Sequence, residues 1–92
     1  MSEVIYKYHL SFFKEQTISL PIDAKILTVA MQGDSMYMWA SHHFPKQAYH
    51  SSTMYDWRTI FIIATGEEVP NLPTKYIGTV FAKGFVWHVY EK

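Results

Sequence analysis

The stretch YIGTVFAKGFVWHVYE, residues 76–91, constrains the fold more than any other part of the chain. Two runs of alternating side chains meet at Lys83-Gly84. A two-residue connection ending in glycine between such runs predicts a β-hairpin, because a type I′ turn needs positive φ at both central positions. Along 85–90, Phe85, Trp87 and Val89 share one face, and Val86, His88 and Tyr90 the other.

The same grammar runs through the rest of the chain. VIYKYHL (4–10) reads as an edge strand, followed by a bend at Phe12-Phe13-Lys14. EQTISLP (15–21) alternates and stops at Pro21, which removes a ladder donor. AKILTVAMQ (24–32) is apolar on both faces and is expected to be a central strand. Gly33-Asp34-Ser35 closes a hairpin onto MYMWASHH (36–43), where Met36, Met38 and Ala40 alternate with Tyr37, Trp39 and Ser41. YDWRTIFIIATG (55–66) carries the strongest strand signal; EEVPNLPTK (67–75) is a loop with room for one short helical turn near 68–74. No window sustains the i, i+3, i+4, i+7 pattern of a helix. The expectation is a single all-β domain spanning 1–92, a small antiparallel sandwich or partly open barrel of about seven short strands.

Composition narrows the functional classes. Eight basic and eight acidic residues give a net charge of zero, and Arg58 is the sole arginine. Duplex nucleic acid is bound through clustered Lys and Arg, and these lysines are scattered, so nucleic acid is not an expected partner. The absence of cysteine excludes disulfides, thiolate metal sites and thiol nucleophiles. MSEVIYKYHL shows no signal-peptide pattern, and no apolar run approaches the length of a membrane helix. A soluble, cytoplasmic protein without membrane contact is expected.

WASHHFPKQAYHSST (39–53) gathers His42, His43 and His50. Zinc requires three or four ligands converging on one point, and strand alternation sends adjacent His42 and His43 to opposite faces. No metal or other cofactor is therefore expected. Ser51 or Ser52 with His50 and Asp56 lacks a G-x-S-x-G elbow, and nothing selects Asp56 and Glu67 as a glycosidase pair. No catalytic residues are assigned, and the chain is expected not to be an enzyme.

The aromatic side chains offer a better lead. Seven tyrosines, six phenylalanines and three tryptophans are more than a domain this small can bury completely. Tyr and Trp are enriched at interface hot spots, as are Met and Arg in interface cores. The candidate partner-binding residues are Tyr37, Trp39, His43, Phe44, Tyr49, His50, Tyr55, Trp57 and Arg58, with Met54 beside them.

The matching of IYKYHL (5–10), EQTISLPIDAKILTVAMQ (15–32), TIFIIATGEEVP (59–70) and YIGTVFAKGFVWHVYE (76–91) covers about four fifths of the chain. On these segments the chain resembles a family of small bacteriophage and prophage proteins that carries a domain of unknown function. The family's signature reads I-Y-K-Y, Q-T-I-x-L-P, Y-I-G-T-V and a terminal H-V-Y-E. The resemblance implies origin more than activity and supplies no catalytic motif. Many such phage proteins bind and inhibit host machinery. The leading expectation is thus a non-enzymatic binding module directed at a host or anti-phage defence protein. A nucleotide-type ligand-sequestering protein, with Arg58 and Lys46 as its cations, and a structural homo-oligomer assembled through strand edges are the alternatives.

Overall fold

The computed structural model describes residues 2–44, 54–72 and 74–92. Seven strands fold into two antiparallel sheets packed face to face: β1 (Ser2–Leu10), β2 (Glu15–Pro21), β3 (Lys25–Gln32), β4 (Ser35–Phe44), β5 (Tyr55–Ala64), β6 (Lys75–Ala82) and β7 (Phe85–Glu91). One sheet has the order β1-β4-β3 and the other β2-β5-β7-β6. The arrangement is an open sandwich rather than a closed barrel.

Period-two alternation decides what lies between the sheets. Leu10, Met36, Met38, Ala40, Ile26 and Val29 from the three-stranded sheet meet Leu20, Ile60, Ile62, Val80 and Val89 from the other in one buried cluster. On every strand but β3 these residues lie two-residue steps apart, so one pleat face is consumed by packing; on β3 a register shift sets Ile26 and Val29 three apart on the same face.

The chain changes sheets three times, and the first two changes are short arches. Leaving β1, Ser11 would lose both backbone partners, and the Gln16 side chain replaces them. Its Oε1 accepts the Ser11 N–H at 3.0 Å and its Nε2 donates to the Ser11 carbonyl at 2.8 Å. After Pro21 ends β2, Ala24 N–H closes a turn on the Pro21 carbonyl at 2.9 Å.

β3 is an edge strand, not the central one its apolar composition suggested; β4 takes the centre. A register shift between Ile26 and Thr28 turns Leu27 outward, and β3 lies against β6 of the facing sheet. β6 carries its own register shift between Tyr76 and Gly78. A Cβ on Gly78 would sit 2.9 Å from Val29 Cγ1, so only glycine permits this approach. The two irregularities therefore lie where the sheets come edge to edge.

Both β5 and β6 run antiparallel to β7, so they are parallel to each other. Parallel strands in one sheet need a crossover that runs back along the strands, and residues 65–74 supply it. The inner face is filled by the core, so the crossover passes over the outer face, where Phe61 and Ile63 are buried although they lie outside the core cluster. Among its described residues this segment has no helical turn near 68–74. Pro70 and Pro73 lack the N–H a helical turn uses, and Leu72 N–H instead bonds the Pro70 carbonyl at 2.9 Å.

Candidate functional site: an exposed aromatic strip on the four-stranded sheet

Core packing uses the even-numbered positions of β5, Ile60 and Ile62. The odd-numbered positions at the start of the strand therefore face outward. Trp57 is 68% exposed and Tyr55 59%, and Met54, just before the strand, is 67% exposed. Opposite them, Ser19 and Pro21 of β2 are the register partners of Trp57 and Tyr55. Ile22, also exposed, lies at the end of the same strand pair, its N–H bonding the Met54 carbonyl at 2.9 Å. Burial pushes the Tyr8 phenol above its ordinary value of 10.0, and the phenols of Tyr55 and Tyr6 add smaller contributions.

The sequence candidates divide between two faces. Tyr37 and Trp39 alternate with the buried Met36, Met38 and Ala40, so they stand on the outer face of the three-stranded sheet. There Tyr37 meets Trp39 at 6.3 Å and His9 edge-on at 5.5 Å between ring centroids. A sandwich separates that face from Tyr55 and Trp57, and the single patch expected from Tyr37 to Trp57 does not assemble.

Arg58 also departs from the expected surface. It is turned inward, its Nε donating to Glu91 Oε2 at 2.6 Å and its Nη1 to the Ala24 carbonyl at 3.0 Å; Nη2 pairs with the same carboxylate. The cation proposed for an interface or for a ligand phosphate is therefore held by the fold. Lys46, Tyr49 and His50 lie outside the described residues, and β4 ends at Phe44.

The histidines are dispersed. His42 is buried and its ring lies 5.2 Å from that of Tyr6, whereas His43 is exposed, with Nδ1 3.8 Å from Asp23 Oδ2. β4 extends through both, and alternation separates them. Among the described residues no group of three or more His, Asp or Glu gathers around one point.

His88 belongs to a different cluster. It lies on the outer face of β7, between Thr65 Oγ1 at 2.8 Å from Nε2 and Thr79 Oγ1 at 3.1 Å from Nδ1; Tyr76 Oη also meets Thr79 Oγ1. Thr65 Oγ1 donates to the Val86 carbonyl, which leaves it to accept the His88 Nε2–H. Nδ1 then accepts from Thr79, and Thr79 accepts from Tyr76. This assignment uses every proton, and the chain ends on a carbonyl instead of a carboxylate. Its effect is to pin the start of the crossover to β6 and β7. The sequence offered no sign of this cluster, because its members come from three separate segments.

Ser51 and Ser52 lie outside the described residues, and the two carboxylate candidates are committed to structure. Asp56 Oδ1 accepts the Trp57 N–H at 2.9 Å, and Glu67 Oε1 accepts the Ala64 N–H at 2.8 Å. They stand at opposite ends of β5, about 25 Å apart at the rise of an extended strand. Paired glycosidase carboxylates lie within about 10 Å. No helix among the described residues is long and apolar enough to cross a membrane.

No curated protein and no solved structure matches the chain. The strands that build this scaffold and its aromatic strip nevertheless carry a family pattern that extends over residues 1–92, and the chain belongs to the family of the domain of unknown function DUF7352.

Proposed function

We propose that this chain is a non-enzymatic protein-binding module whose partner docks on the exposed aromatic pair Tyr55 and Trp57 at the start of β5. The observation that carries the reading is the exposure of Trp57, 68% on a regular strand of a packed sheet. A tryptophan in that position costs solubility and adds nothing to the core. At an interface it supplies a large, rigid contact area and is among the residue types that dominate binding energy. Tyr55 and Met54 are of the same class.

The resemblance to phage and prophage proteins supports a phage origin, a cytoplasmic site of action in the bacterial cell, and a host or defence protein as the partner. The commitment of Asp56, Glu67 and His88 to structural hydrogen bonds supports a non-enzymatic reading.

The test is affinity capture from bacterial lysate with three baits: wild type, Trp57→Ala and Trp39→Ala. The expected result is a partner retained by wild type and Trp39→Ala and lost by Trp57→Ala, a weakening of about thirtyfold or more for a hot-spot tryptophan. Equal retention by all three baits would remove the strip as the contact.

A further inference from the structure

The four strand edges of the sandwich are not equally guarded. β3 and β6 lie against each other, and each carries a register irregularity. β2 is short and ends in Pro21. β1 differs from all three. Its nine residues run in unbroken register with β4, without proline or bulge. An edge lysine ordinarily blocks the approach of another strand, but Lys7 is drawn back over its own sheet. Its Nζ donates to Gln32 Oε1 on β3 at 2.9 Å and sits 4.4 Å from the Tyr37 ring centroid. In the middle of the strand Ile5 is 57% and Tyr6 48% exposed, and alternation places them on opposite faces.

We propose that β1 pairs antiparallel with β1 of a second copy of this chain, joining two three-stranded sheets into one of six strands. A twofold axis through Tyr6 pairs the strand from end to end, Ser2 opposite the partner's Leu10. On the outer face this register sets Glu3 opposite the partner's His9. It also sets Ile5 against the aliphatic stem of the partner's Lys7. On the inner face Val4 meets Tyr8, and the two Tyr6 rings meet at the axis. Moving the axis to Ile5 shortens the ladder to residues 2–8, and moving it to Lys7 shortens it to 4–10. β1 carries its carboxylate near one end and its basic side chains towards the other, so an antiparallel copy of itself is the strand that complements it.

The chain has no cysteine, so a single introduced thiol reports one position. Residues directly opposite in an antiparallel pair have Cα atoms about 4.5–5.5 Å apart, within disulfide range. Tyr6→Cys is expected to cross-link as a dimer under mild oxidation. Glu3→Cys, whose twin lies six residues away, about 20 Å along the ladder, is not. Sedimentation equilibrium is expected to show a wild-type dimer. Ile5→Lys, which opposes two lysines at an exposed site, should weaken it at least about tenfold with unchanged circular dichroism. Glu3→Lys should weaken it and Glu3→Lys with His9→Glu restore it. A wild-type chain that sediments as a monomer at every concentration overturns the proposal. Equal cross-linking of the two thiol variants, or a dimer lost in Trp57→Ala but kept in Ile5→Lys, does the same. The partner-binding reading is tested by Trp57 alone, so either result can fail without the other.

Discussion

Arg58 carries the only guanidinium in the chain, and its position beside Trp57 in sequence made it an interface candidate. Alternation on β5 sends the two to opposite faces, and Arg58 becomes a tie between β5, the end of β7 and the turn before β3. The pair is largely withdrawn from water, the two side chains being 23% and 10% exposed. Removing one partner of such a pair leaves an uncompensated charge, whereas replacing both by apolar groups is often close to neutral. Arg58→Met alone is therefore expected to cost about 3 kcal/mol in urea unfolding, and Arg58→Met with Glu91→Leu to recover most of it. Tyr8 gives a pH-dependent counterpart. Its phenol is raised above 10.0 in the folded state, chiefly by burial and then by Tyr55 and Tyr6. Below pH 10 the phenol is neutral in both states and its full contribution is present. Above it the unfolded chain ionises first, so stability falls as pH rises through the folded value. Tyr8→Phe is expected to make the alkaline decline in melting temperature shallower. None of these roles was legible from local sequence, because each depends on which strand end comes to rest beside the residue.

At the scale of elements, the strands and tight turns were legible and their neighbours were not. Lys83 and Gly84 take φ of 54° and 77°, the positive pair that the hairpin reading required. The expected strand at 85–91 matches β7, and that at 15–21 matches β2. Two expectations failed for physical reasons. The apolar run at 24–32 suggested a central strand, but β3 is an edge whose Ile26 and Val29 are buried in the core beside β6 of the facing sheet, which makes an edge strand look interior. Among its described residues the proline-bearing segment near 68–74 has no helical turn. Gly78 has the sharpest test. Gly78→Ala would drive a methyl into Val29 Cγ1, an overpacking cost of about 1–2 kcal/mol. Val29→Ala opens the space, so the double variant is expected to cost less than the sum of the singles, as measured by a denaturant double-mutant cycle.

For the whole molecule, the decisive fact is that a two-layer sandwich has two outer faces. Tyr37 and Trp39 belong to one, Tyr55 and Trp57 to the other. In consequence Trp39→Ala and Trp57→Ala are expected to act independently, with one partner sensitive to Trp57 alone and additive thermal shifts in the double variant. The sequence by itself determined the all-β class, seven strands, and which residues on each strand share a face, because side-chain direction follows from a two-residue period read locally. Tertiary structure decided which strands became edges. It turned Arg58 inward to Glu91, gathered Thr65, Thr79 and His88, and split the aromatic surplus between opposite faces. Period two states which residues stand together on a strand. Only the packing of one sheet on the other states which of those faces meets solvent.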